Sequence, residues 1–334
     1  MQQQNRIDNP TNLDLNYIDK EIQEGKHLIV QFSENTYTDE KLSIINGLCK
    51  KYDMSFRVRF YGHYSSIFDC KILLKIPDVK CLYVDCLLNA DNLLTIAHLH
   101  KLQKLSLGVY EITETEILNS ENLKQLTELI LTETKTKAIS LDYLKDYRNL
   151  KYLILGGHTK NISSVGNLSG LEYLSLNSIK KTSVEFINKL KGLKTLKFIL
   201  GGRENIHEID DNEIEHLEIV WVRGFNDISN IIKFKKLKFL KLEDNIKLEK
   251  INFASEMPYV KTLAISNCKT LNSLTGLHYL TSLDRIGIYQ TNIDFDTFIK
   301  QDLPASLKAI KFYTPKNKLN NTIKIRIKDK GYTD

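Results

Sequence analysis

The stretch Leu126-Thr-Glu-Leu-Ile-Leu131 recurs throughout the chain in altered form. Its pattern, L-x-x-L-x-L with other apolar residues allowed, returns at Val79–Val84, Leu102–Leu107, Leu150–Leu155, Leu171–Leu176, Leu193–Phe198, Ile214–Ile219, Leu237–Leu242, Val260–Ile265, Leu283–Ile288 and Leu307–Phe312. From first apolar residue to first apolar residue the steps are 23, 24, 24, 21, 22, 21, 23, 23, 23 and 24. The last four positions alternate apolar and variable, the period of a strand with one buried face. About fifteen residues separate the hexamers, with one or two further apolar anchors such as Ile139 and Leu144. A single unit cannot bury its own leucines, whereas stacked units can, with a parallel ladder on one side and helices or turns on the other.

Over roughly residues 79–312 this pattern resembles the leucine-rich repeat family, and the short, irregular units look like those of its bacterial members. The resemblance implies an α/β solenoid, a curved horseshoe with a parallel sheet on its concave face. It also implies protein–protein interaction. The family places Asn or Cys three positions after the last leucine of the hexamer, to bond the turn backbone. Here Asn245 and Cys268 hold that slot, Thr134 and Thr291 substitute weakly, and Tyr110, His158, Ile179, Gly201 and Val222 stand elsewhere.

The expected organisation is an arm over 1–25, a cap over 26–78, about eleven repeats over 79–315, and a C-terminal cap strand and tail over 316–334. Within 1–25 a short helix should end near Gly25. Strands are expected at His27–Phe32 and Ser55–Phe60, and Thr36-Tyr-Thr-Asp39 reads as a capping box for a helix through about Lys51. Behind the repeat strands, Asn119–Leu126, Leu141–Leu150 and Thr182–Leu193 have helical apolar spacing. Ser163–Leu171 and Asn272–Leu283 read as tighter turns, and Asn205–Glu213 as an irregular bulge. The final run Thr322-Ile-Lys-Ile-Arg-Ile-Lys-Asp329 alternates isoleucine with charge. It reads as a closing edge strand that buries Ile323, Ile325 and Ile327, with a basic tail as the rival reading.

Length and composition permit a long core: 334 residues, 42% hydrophobic. A formal net charge of +6 comes from 47 basic and 41 acidic residues, which is no nucleic-acid signature. No apolar run approaches the ~18 residues of a membrane span. The N-terminus shows no basic region followed by an apolar run, and the five cysteines have no C-x-x-C spacing. Both point to the cytoplasm as the expected compartment.

Chemistry-bearing motifs are sparse. His63 with Cys70, Cys81 and Cys86 has gaps of 7, 11 and 5, unlike structural zinc spacing. Gly156-Gly-His-Thr-Lys160 and Gly201-Gly-Arg203 follow repeat strands and lack the phosphate-loop pattern. The reading is therefore not an enzyme, with no cofactor and no metal.

The third, fifth and seventh positions of each repeat project from the open face of the sheet. Those columns place Ile130, Tyr152, Ile154, Tyr173, Ile199, His216, Val220 and Phe239 there, with Trp221 at the edge. Apolar and aromatic side chains on a face that should be wet mark a contact site. Lys197, Glu218, Lys241, Glu243, Arg285 and Tyr289 complete the expected partner-binding set. The near balance of positive and negative charge suits a protein partner over a phosphate backbone. The reading is a non-catalytic protein-binding module, such as an inhibitor or immunity protein, with no nucleic-acid or membrane partner. Its rivals are an exported virulence or adhesion factor and a recognition subunit of an enzyme complex.

Overall fold

The computed structural model describes residues 4–135 and 137–333. The chain divides into two compact units, Met1–Gly170 and Leu171–Asp334. Among the described residues, each unit has a ladder of seven parallel strands. In the N-terminal unit these are Gln4–Asp8, His27–Ser33, Phe56–Tyr61, Cys81–Leu87, Lys104–Val109, Glu128–Leu131 and Tyr152–Gly156. In the C-terminal unit they are Tyr173–Asn177, Thr195–Ile199, His216–Val220, Phe239–Glu243, Thr262–Ser266, Arg285–Tyr289 and Ala309–Tyr313.

The hexamer explains both the strand and its direction. In the repeat of Ile214, the residues Ile214, Leu217 and Ile219 are buried, while His216, Glu218 and Val220 alternate outward and stay half-buried. Each buried Leu or Ile contributes about 1.5–3 kcal/mol by leaving water. The chain then turns back through Phe225, Ile228, Ile231 and Phe234, all buried against the strand leucines. The return segments expected as helices are 3₁₀ turns of five or six residues, including Glu121–Gln125, Leu141–Asp146 and Glu185–Lys189. A 3₁₀ turn rises about 2.0 Å per residue, so it covers the strand-to-strand return with fewer residues than an α-helix. Ile162–Asn167 is such a turn as well, and 205–213 carries no helix. Within 272–283 the tight turn includes a short strand, Ser273–Thr275, paired in parallel with Lys250–Asn252.

At Asn245, Cys268 and His158 the side chain in the asparagine slot bonds a strand carbonyl. Asn245 is fully buried; its Nδ2 donates to the Ile219 carbonyl at 2.8 Å and its Oδ1 accepts from Val222 N at 3.2 Å. His158 does the equivalent work in its own repeat, with Nε2 donating to the Thr132 carbonyl at 2.8 Å. Burial holds that imidazole below its ordinary pKa, so it serves as a neutral donor.

At the N-terminus, residues 4–25 are more than an arm. Gln4–Asp8 adds a parallel strand beside His27–Ser33, and α1 (Leu15–Gln23) follows with Asp14 as its N-cap. The strand edge at His27–Ser33 would otherwise expose unpaired backbone groups. Thr38 caps α2 (Asp39–Tyr52), which buries Leu42, Ile45, Leu48 and Cys49.

At the C-terminus the expected edge strand is a helix. After α3 (Phe295–Ile299), residues Asn317–Asp329 form α4. Ile323 and Ile327 are buried but Ile325 is 60% exposed. Isoleucines four apart share a helix face, so this short run satisfies both periods, and the helix satisfies its own backbone where a last strand would leave an open edge. The edge of Ala309–Tyr313 is covered instead by Thr333, whose carbonyl accepts from Ile310 N and whose N–H donates to the Lys308 carbonyl. Ile327→Asp should therefore destabilise the C-terminal unit by about 3 kcal/mol or more, and Ile325→Asp by less than about 0.5 kcal/mol. Urea denaturation of both variants checks this, since a strand would make the two equally damaging.

Candidate functional site

The sequence-predicted residues divide between the two units: Ile130, Tyr152 and Ile154 lie in the first, the rest in the second. In the C-terminal unit, parallel register sets them in rows across the sheet. One row runs Tyr173, Thr195, His216, Phe239, Thr262, Arg285; a second runs Ser175, Lys197, Glu218, Lys241; a third runs Asn177, Ile199, Val220, Glu243. At the ~4.8 Å spacing between strands, side chains in a row touch. His216 stacks on Phe239 with centroids 4.3 Å apart and planes 11° apart. Lys197 lies over the Tyr173 ring, 5.5 Å from its centroid. Lys241 pairs with Glu243.

Glu218 is the electrostatic centre. Its carboxylate meets His216 Nε2 at 2.6 Å and Lys197 Nζ at 2.9 Å. The hydrogen bond from His216, then Lys197, pulls its pKa from 4.5 down to about 2 against the opposing effect of burial. Burial pushes Lys197 down, but the bond and charge of Glu218 outweigh it and hold the ammonium above its usual value. Because the folded carboxyl is depressed, its stabilisation is complete above about pH 4.5 and disappears as pH falls through 2. Glu218→Gln should lower stability by roughly 1–3 kcal/mol at pH 6. The gap to the wild type should narrow steadily in urea titrations from pH 4.5 to 3; a pH-independent gap would refute the pairing.

Exposure refines the expected wet face. Ile199, Val220, Tyr173, Phe239 and Tyr289 are half-buried by their row neighbours, while Trp221 is 59% exposed. Trp221 follows its strand in a left-handed conformation (φ 56°), as do Ser178, Leu200, Asp244, Asn267 and Gln290 after theirs. The amide of each donates to the last carbonyl of the next strand; Leu200 N reaches Val220 O at 2.8 Å and Trp221 N reaches Glu243 O at 2.9 Å. That continuous ladder holds non-glycine residues where sterics cost about 1–2 kcal/mol each. Ser178, Asp244, Asn267 and Gln290 are polar, whereas neighbouring Leu200 and Trp221 present bulky apolar groups outward. With Ile199 and Val220 they form one apolar patch beside the Lys197–Glu218–His216 cluster. Arg285 and Tyr289 sit three strands from His216–Val220, roughly 14 Å away, and Tyr289 stacks on Tyr313 instead.

In the N-terminal unit, Ile130 and Tyr152 line a cleft of about 550 Å³ on the open sheet face, with Arg57, Arg59, Tyr83 and Asp85 among its walls. Ile154, in the same row as Ile130, is half-buried. Arg59 pairs with Asp85 at 2.7 Å, and Lys104 with Glu128 at 2.9 Å. His63, Cys81 and Cys86, whose spacing is unlike that of a zinc site, each meet other partners. His63 Nδ1 sits 2.9 Å from Ser66 Oγ, Cys81 faces Met54, and Cys86 faces Arg59. Among the described residues no group of three or more metal-ligating side chains occurs.

No protein-family model matches the chain, and no curated protein matches it in sequence. Solved structures do match. An internalin from Listeria monocytogenes is 19% identical, with 85% of this chain and 79% of that one covered at a TM-score of 0.55. A leucine-rich repeat protein of Leptospira interrogans is 17% identical, with 92% and 89% covered at 0.51. Toll from Drosophila, in its complex with Spatzle, is 11% identical, with 92% and 45% covered at 0.50.

The chain has the leucine-rich-repeat fold.

Within a leucine-rich-repeat stack, Leu200 occupies the position after the seventh column, which is why the three-column reading passed over it. Reading one further column, Ser178, Leu200, Trp221, Asp244, Asn267, Gln290, would have found it. The N-terminal cleft was also legible in part, because Phe56-Arg-Val-Arg-Phe60 alternates and so places Arg57 and Arg59 on the open face.

Proposed function

We propose that this leucine-rich-repeat chain is a non-catalytic protein-interaction module whose C-terminal unit grips a protein partner through the open face of its sheet. The observation that carries this reading is the pair Leu200 and Trp221, 42% and 59% exposed, set together on constrained backbone. Exposed apolar groups on rigid elements lose little conformational freedom on binding and are favoured anchors. Lys197, Glu218, Lys241 and Glu243 beside them are paired among themselves. Such a mixed, self-neutralised surface orients a protein partner and offers little to a phosphate backbone. Toll, which shares the fold, is seen in complex with Spatzle, a neighbour consistent with this use. All five cysteines are unpaired, four of them buried, which supports a reducing compartment such as the cytoplasm.

Site-specific photo-crosslinking tests the reading. A benzophenone side chain in place of Trp221 should crosslink a discrete protein in lysate of the source cells. The same probe in place of Tyr279, on a 3₁₀ turn (Leu277–Tyr279) behind the sheet, should not. Equal labelling from both positions, or none from position 221, would reject the open face as the binding surface.

A further inference from the structure

The cleft of the N-terminal unit contains two arginines that form no ion pair among the described residues. Its walls carry three arginines from two strands: Arg6 from Gln4–Asp8, and Arg57 and Arg59 from Phe56–Tyr61. Arg59 is neutralised by Asp85, whose second oxygen also accepts from Ser106 Oγ at 3.1 Å. Lys104 is neutralised by Glu128. Arg57 and Arg6 pair with no carboxylate among the described residues. Register sets Arg6, Ile29 and Arg57 in one row, so the two arginine backbones stand on either side of Ile29, roughly 9–10 Å apart.

Arg57 is half-buried and partly oriented, since its Nη1 donates to the Tyr83 hydroxyl at 3.0 Å. Its Nε and the Nδ1 of His27 are shielded from solvent and meet no partner among the described residues. An unmatched buried donor costs about 1–3 kcal/mol, which an incoming acceptor can recover. Burial, with Arg57 and Lys104 nearby, holds His27 below its ordinary pKa, as expected in a cationic setting. Ile29, Ile130 and the rings of Tyr83 and Tyr152 supply apolar walls.

We infer that this cleft binds the side-chain carboxylate of an acidic residue within an extended peptide segment, with an adjacent apolar residue against Ile130 or Tyr152. The peptide part of this assignment rests on the protein-binding reading above. Arg57 supplies the ion pair, and its planar fork matches a carboxylate. The resident Asp85 and Glu128 disfavour a polyanion, whose repeated charges would meet them. Arg57 stands on the third of seven strands, so a segment crossing the face continues on both sides of it. That geometry favours an internal acidic residue over a chain terminus.

Binding is read by NMR titration of the whole chain, following the Arg57 Nε–H and His27 signals. The probes are acetyl-Asp-Leu-amide, acetyl-Asn-Leu-amide, acetyl-Leu-Leu with a free carboxylate, and inorganic phosphate. Acetyl-Asp-Leu-amide should bind at least about tenfold more tightly than the Asn peptide and more tightly than either other anion. Arg57→Gln should reduce its affinity at least about tenfold and Arg57→Lys at least about threefold, with the folded circular-dichroism spectrum retained in both. Equal binding of Asp and Asn peptides, stronger binding of the terminal carboxylate or phosphate, no binding of any probe, or indifference to Arg57→Gln would each overturn the assignment. Crosslinking from position 221 that persists in Arg57→Gln would leave the interaction reading standing while the cleft fails.

Discussion

Gly276→Ala should destabilise the C-terminal unit by about 3–5 kcal/mol, as a large shift of its urea midpoint. Two effects combine. Gly276 has φ +77°, where a Cβ costs about 1–2 kcal/mol. That Cβ would also lie 2.0 Å from the Phe253 carbonyl oxygen, and the obstacle is backbone of the preceding repeat. Relieving the contact requires moving Phe253 N, whose amide donates to the Thr275 carbonyl, and with it the short ladder of Lys250–Asn252 on Ser273–Thr275. Gly331→Ala is the control: φ is +88° but nothing lies within 4 Å of the added carbon. It should cost only the conformational part, about 1 kcal/mol. Equal losses from the two variants would show that close packing of neighbouring repeats contributes nothing at Gly276.

The double variant Leu200→Ser with Trp221→Ser should weaken partner binding about 100- to 1,000-fold while leaving the thermal midpoint nearly unchanged. Anchor residues of this kind are worth roughly 2 kcal/mol each, and each 1.4 kcal/mol is tenfold. Serine is a suitable replacement because Ser178 already occupies the equivalent left-handed position two strands before Trp221. The backbone ladder, Leu200 N to Val220 O and Trp221 N to Glu243 O, involves no side-chain atoms and should persist. Surface plasmon resonance against the crosslinked partner gives the affinity, and calorimetry gives the midpoint. An affinity within threefold of wild type would remove Leu200 and Trp221 from the interface. A large fall in the midpoint would show instead that they stabilise the fold.

Much of the architecture was readable from Leu126–Leu131 and its copies, because period-two alternation in a one-sided strand leaves little freedom in which residues face the core. The same logic assigned Lys197, Glu218 and His216 to one face. It could not assign their state. That the Glu218 carboxylate sits at about 2 depends on neighbours 21 residues before and 2 residues away in sequence, brought together by register. Leu200 stands one position beyond the columns that alternation assigns to the open face, on a left-handed turn held by the ladder to the next strand. His158 looked like a lost asparagine and proved to be a substitute for it, a matter of where its Nε2 reaches.

The sequence by itself determined the repeat, the parallel strands and the open face, since each follows from local spacing repeated eleven times. Only the tertiary structure decided the rest. Ile323-Lys-Ile-Arg-Ile327 fits strand and helix alike, and its burial beside the last repeat, with Thr333 already on the strand edge, selected the helix. Arg57 and Arg6 lie 51 positions apart, and their placement in one row across Ile29 depends on strand register that no local pattern encodes. Local periodicity specifies which way a side chain points; long-range pairing specifies what it meets there.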